Sequence, residues 1–160
     1  MFTAEQWNRI DFEGALVSMH FPGFQQFNRA SSFGFTGWVT PKAGSSSYQL
    51  RLDAPNEYPY GKPDLCVVSP QVLWMHGGHR SINSLGTTHS YHTWGNAPDG
   101  SIRICHTSGW DPSMTCVQVL LKSIIWLEAY SIHLRMGATI AEIIDSFEEY
   151  YMIWSSPLLL

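Results

Sequence analysis

The segment Tyr48-Gln49-Leu50-Arg51-Leu52-Asp53 alternates apolar and polar residues without a break, and it limits the possible folds more than any other stretch. Successive side chains of a strand point to opposite faces, so strict alternation demands a sheet with one face buried and the other wet. Phe24 to Asn28 and Phe35 to Thr40 precede it across Ser- and Gly-containing turns, Leu65 to Val68 follows, and these runs are rich in aromatic or β-branched residues. Together they predict an antiparallel meander of about four strands. Between the last two, Tyr58-Pro59-Tyr60-Gly61-Lys62-Pro63 excludes regular pairing, because proline has no amide proton to give to a ladder.

Helical signals flank the meander. Thr3-Ala4-Glu5-Gln6 reads as a capping box, in which hydroxyl and amide satisfy each other's backbone donors. The helix it starts carries Trp7, Ile10, Leu16 and Val17, is weakened at Gly14, and stops near His20 before Phe21-Pro22-Gly23. Residues 70 to 101 hold many Gly, His, Ser and Asn and little periodicity, which predicts a long irregular excursion of the kind that carries function or moves. After Trp110-Asp111-Pro112, the residues Val117, Leu120, Leu121, Ile124, Ile125, Glu128 and Ile132 follow helical spacing up to a natural cap at Gly137. Thr139-Ile140-Ala141-Glu142 is a second capping box, opening a last helix with Ile140, Ile143, Ile144 and Phe147. With no repeat, linker or low-complexity tract, residues 1–160 read as a single α+β domain.

Composition excludes several classes. With 44% hydrophobic and 14% charged residues the chain can bury a core without staples. The formal charge is -4 and the nine Lys and Arg are scattered, so no basic stripe exists to neutralise the phosphates of a nucleic acid. Lys122 and Glu128 interrupt the most apolar stretch, Val117 to Tyr130, so no membrane span is expected. Three cysteines, and a start lacking a positive segment followed by an apolar run, favour free thiols in a reducing cytoplasm. Only three lysines occur, Lys42, Lys62 and Lys122; an enzyme that forms bonds to lysine amines would modify itself less with so few.

Cys105 lies between the turn at Asp99-Gly100 and the turn at Trp110-Asp111-Pro112, on backbone expected to be irregular, where chemistry is commonly mounted. It is the candidate nucleophile. Cys66, between Leu65 and Val67, reads as core, and Cys116, inside the apolar helical pattern, reads as packing. His106 adjoins Cys105, but neighbours on an extended segment face opposite ways, so direct pairing is not expected.

These residues carry a resemblance. The strand Tyr48 to Asp53, followed by Ala54-Pro55-Asn56-Glu57-Tyr58-Pro59-Tyr60-Gly61-Lys62-Pro63, resembles the strand and Tyr-Pro-x-x-x-Pro turn of ubiquitin-conjugating enzymes. Tyr91-His92, Asp99-Gly100-Ser101-Ile102, Cys105, Trp110-Asp111-Pro112-Ser113-Met114-Thr115 and the helix with Leu120-Leu121 follow in that family's order. The resemblance spans roughly residues 3 to 145. Trp126-Leu127-Glu128-Ala129-Tyr130 and the short C-terminal half look more like bacterial members, which occur with ubiquitin-like modifiers, activating enzymes and deubiquitinase-type peptidases, in settings that include anti-phage defence.

The resemblance implies a UBC-like fold and a thioester chemistry that needs no metal or cofactor. A cysteine takes the C-terminal acyl group of a ubiquitin-like modifier from an activating enzyme and passes it to an amine, usually a lysine, of a protein substrate. The tetrahedral oxyanion wants hydrogen-bond donors, and the amine must lose a proton. The family's His-Pro-Asn motif is here His92-Thr93-Trp94-Gly95-Asn96, with the proline absent and the asparagine displaced; the spacing from Gly100 to Cys105 is longer and that from Cys105 to Trp110 shorter. Asn96 is then the candidate oxyanion donor, and His92 the residue expected to replace that donor or to take a proton. Asp111 either orients or deprotonates the incoming lysine or caps the helix, while Trp110 and Pro112 close the loop and start the helix, and Tyr58, Pro59 and Pro63 shape a turn. The N-terminal helix and the loops near Pro63 and Pro112 would meet the activating enzyme. Two other readings stand beside this one: a non-catalytic binding module of the same fold, and a zinc hydrolase built from His76, His79, His89 and His92.

Overall fold

The computed structural model describes residues 2–147; the rest of the 1–160 unit expected from the sequence lies outside them. Helix α1, Ala4–His20, starts at the Thr3 capping box with both reciprocal hydrogen bonds in place, and its Ile10, Glu13 and Val17 are buried. Strands β1 (Gln25–Asn28), β2 (Ser32–Val39), β3 (Tyr48–Pro55) and β4 (Asp64–Ser69) follow as the expected meander, each antiparallel to the next. Along β3 the alternation is realised residue by residue. Tyr48, Leu50, Leu52 and Ala54 are buried, and the residues between them are half-exposed.

The sheet has seven strands rather than about four. Within and after the stretch read as irregular lie β5 (Thr87–Thr88), β6 (Thr93–Asn96) and β7 (Ile102–Ile104), and the order across the sheet is β1-β2-β3-β4-β7-β6-β5. Strands of two to four residues are too short to show a period, so only their partners reveal them. β7 enters beside β4, pairing Cys66 with Arg103 and Val67 with Ile102, and this places the residue after β7 at the end of a central strand. The rest of the excursion is fastened: Tyr130 Oη donates to the Trp74 carbonyl at 2.8 Å, Trp126 Nε1 to the Tyr91 carbonyl at 2.8 Å, and the Ala141 amide to the Ser90 carbonyl at 2.9 Å.

Helix α2, Cys116–Met136, begins later than Pro112 suggests. Its N-cap is Thr115, whose hydroxyl accepts from the Gln118 amide while the Gln118 side chain accepts from the Thr115 amide. Asp111 therefore does not cap it. Gly137 closes the helix in the left-handed conformation at φ 80°, and α3, Ile140–Asp145, starts at the Thr139 capping box. α2 is buried on most sides, its Trp126 fully, and with the inner face of the sheet, α1 and α3 it builds one apolar cluster. Among the described residues no helix is long and apolar enough to cross a membrane.

A buried carboxylate ties α1 to this core. Glu13 Oε1 accepts from Tyr58 Oη at 2.6 Å and from Arg9 Nε at 2.8 Å, and Glu13 Oε2 accepts from the Cys116 amide at 2.8 Å. An anion at the first turn of α2 meets unpaired amides and the positive end of the helix dipole, so the carboxylate is satisfied although it is fully buried. Glu13 escapes a reading of the sequence because a single glutamate in an amphipathic helix looks like part of its wet face.

Candidate active site

Cys105 is the first residue beyond β7, and its amide donates to the His92 carbonyl at 2.7 Å, which joins the end of a central strand to the segment before β6. The thiol is half-buried, and Sγ donates to the Thr107 carbonyl at 3.9 Å. It opens on a cavity of about 260 Å³ whose walls include Thr88, His89, His92, Trp94 and Ser108. Burial pushes the Cys105 thiol above its usual range, and the ammonium groups of Lys62 and Lys122 oppose that rise. The thiol is thus held mainly protonated at neutral pH.

His92 comes to the same cavity. Its backbone sits at φ 48°, the left-handed region that His enters more readily than most side chains, and this turn carries the chain from Tyr91 into β6. The ring is 8% exposed and stands edge to face with His89 at 5.2 Å. Burial, with His89 adding to it and Asp145 opposing, pulls its pKa down to about 4. At neutral pH this imidazole is uncharged, has no fixed charge to offer an oxyanion, and is a weaker base than an ordinary histidine.

The other two candidates are not brought to the thiol. Asn96 ends β6, and its exposed side chain donates Nδ2 to the Asn83 carbonyl at 3.0 Å, away from the cavity wall. Asp111 is exposed and closes a tight turn of its own, accepting from the Ser113 amide at 2.8 Å and from its hydroxyl at 2.5 Å, which holds the carboxyl below the usual range. Trp110 does close the loop: its indole donates to the Pro59 carbonyl at 2.7 Å and packs against Tyr58.

The remaining sulfurs and rings fall where packing puts them. Cys66 is buried and pushed up to about 12 by that burial, and burial likewise holds the Cys116 thiol well above its usual range. His106 turns away from the cavity. Its ring is 1% exposed, Nε2 pairs with the Pro63 carbonyl at 2.8 Å, and burial lowers its pKa to about 4. The histidines do not converge on a metal: among the described residues no group of three or more His, Cys, Asp or Glu side chains is arranged to hold an ion. His76 Nδ1 pairs instead with the Leu134 carbonyl at 2.9 Å, and His133 Nε2 accepts from the His76 amide at 3.1 Å.

Three residues that sequence reading did not attach to Cys105 stand close to it. Trp94 and Ser108 line the cavity, and Lys62 Nζ lies 4.1 Å above the centroid of the Trp94 ring. Nothing in their spacing along the chain announces this, since Lys62 precedes β4 and Trp94 belongs to a four-residue strand. No protein-family model, no curated protein and no solved structure matches the chain.

Proposed function

We propose that the protein is a conjugating enzyme of the UBC-like type, which takes the C-terminal acyl group of a ubiquitin-like modifier onto Cys105 and delivers it to the amine of a lysine on a protein substrate. The observation that carries this reading is the contrast among the three cysteines: two are sealed in the core, and Cys105 alone opens on a cavity that also holds a neutral imidazole. In the loading step the Cys105 sulfur attacks the carbonyl carbon of the modifier's thioester with the activating enzyme. The old C–S bond breaks, the sulfur of the activating enzyme departs with the bonding pair, and the Cys105 proton passes to that departing thiolate, through solvent or through His92 as a relay. In delivery the amine nitrogen attacks the same carbonyl, the bond to Cys105 breaks, and the sulfur leaves as a thiolate.

The raised thiol pKa favours a carrier over a hydrolase. A sulfur with a higher pKa is a poorer leaving group, so its thioester waits longer for an acceptor. The activating enzyme has a suitable surface to grip. Trp7, Phe12 and Met19 stand exposed on α1, and Tyr60 stands exposed on the adjoining turn, beside a cavity of about 400 Å³ lined by Gln6, Arg9, Pro59 and Tyr60. A reducing cytoplasm and a bacterial conjugation cluster, with modifier, activating enzyme and deubiquitinase-type peptidase, complete the proposal.

The test is incubation with the activating enzyme, modifier and ATP, followed by a gel with and without reductant. A reductant-sensitive adduct that disappears in Cys105→Ala is the expected outcome. An adduct that survives Cys105→Ala overturns the site, and binding of the modifier with no adduct at all favours a non-catalytic binding module.

A further inference from the structure

We propose that Lys62 and Lys122 form a cationic clamp on Cys105, which stabilises its sulfur as a thiolate both when it attacks and when it leaves. The part played in acyl transfer rests on the reading above; the effect on the sulfur does not.

Two of the chain's three lysines, from separate parts of the fold, bear electrostatically on one thiol. His106, the residue after Cys105, bonds through Nε2 to the carbonyl of Pro63, the residue after Lys62, at 2.8 Å. The two chain segments are therefore fastened one residue away from the pair in question. The Lys62 ammonium rests over Trp94, which walls the Cys105 cavity, so the aromatic face holds the charge at its rim. Lys122 lies one helical turn before Trp126 on α2. Residues four apart share a helix face, and Trp126 donates to the Tyr91 carbonyl at 2.8 Å, next to His92, whose carbonyl holds the Cys105 amide. Lys122 is only 2% exposed, on the helix face that meets this segment.

The electrostatics agree with this placement. Both ammonium groups favour the ionised sulfur, and the sulfur in turn favours the charged form of Lys122, which burial otherwise disfavours. The other titratable groups bearing on the cavity are His89 and His92, with Asp145 facing His92; His106 feels both lysines but turns away from the cavity. In delivery, attack by the amine places electrons on the carbonyl oxygen, collapse expels the Cys105 sulfur with its bonding pair, and the amine proton goes to solvent or to His92. A thiolate favoured by two ammonium groups leaves faster than burial alone would allow. This division of labour also keeps two of the three lysines from acting as acceptors, since one amine is held on an aromatic face and the other is buried.

The experiment is the alkylation rate of Cys105 by iodoacetamide, followed site by site by mass spectrometry from neutral to alkaline pH. Lys62→Met and Lys122→Met are each expected to move the midpoint of the rate profile to higher pH and to slow alkylation at neutral pH about three- to tenfold. Lys62→Arg and Lys122→Arg retain the charge and should restore the native midpoint, which a purely structural role would not do. Lys42→Met serves as the control and should leave the profile unchanged. Unchanged midpoints in both Met variants, with the native circular dichroism, overturn the clamp. Should Lys122→Met fail to fold, the half-buried Lys62 decides the matter alone. Shifted midpoints with no thioester adduct leave the clamp standing and remove the conjugation reading, and an adduct with unshifted midpoints does the reverse.

Discussion

Cys66, Cys105 and Cys116 share one chemistry and differ in what surrounds them. Desolvation raises all three thiols, but only at Cys105 do cations offset it at a sulfur that solvent reaches. A thiol reagent at neutral pH should accordingly label one cysteine quickly and two only on unfolding. Quantitative titration with and without denaturant checks this, and rapid native labelling of Cys66 or Cys116 would contradict the burial described. Cys105 was legible in the sequence because turn signals on both sides keep it out of the core pattern. Its surroundings were legible only in part: His92, expected there, lines the cavity, while Asn96 and Asp111, also expected there, do not. His92 sits in the turn just before β6 and Asn96 ends that strand, and the irregular register between Thr93 and Asn96 leaves one side chain at the cavity and the other on the Asn83 carbonyl.

Helices and strands divide along a similar line. The capping boxes at Thr3 and Thr139 were readable as short motifs because both partners lie within one turn of chain. The third box, Thr115 with Gln118, is as plain in the sequence, yet Asp111-Pro112 offered a competing start; only the turn closed by Ser113 shows that Asp111 is spent elsewhere. At this scale the junction of α1, the Tyr58 turn and α2 depends on one side chain. Glu13→Ala would leave the Tyr58 hydroxyl and the Cys116 amide without their acceptor in a dry site and would open a void. The expected cost is about 3 kcal/mol in urea unfolding, with Glu13→Gln recovering part of it. A loss under about 0.5 kcal/mol for Glu13→Ala, the level of an ordinary surface change, would show that the junction is held by packing alone.

For the molecule as a whole, two buried neutral imidazoles set how stability responds to acid. His92 and His106 have folded-state pKa values near 4, below the 6.5 of an unfolded histidine, so only the unfolded chain takes up their protons as pH falls through that interval. Their contribution is complete above about pH 6.5 and is lost progressively down to about pH 4, amounting to about 3 kcal/mol for each ring. His106→Gln keeps a donor for the Pro63 carbonyl and removes the titration. It should flatten the stability profile across this window, and equal slopes for variant and native protein would refute the assignment. What the sequence alone determined was local: the alternation that demands a two-faced sheet, the helix caps, and a cysteine set outside the core. Tertiary structure decided the insertion of β7 beside β4, the short strands β6 and β5 beyond it, the Glu13 junction, and the gathering of His92 and Trp94, with Lys62 over the Trp94 ring, at the Cys105 cavity. Those contacts join residues far apart along the chain, and their geometry is set by strand order and core packing, which no periodicity within a single segment encodes.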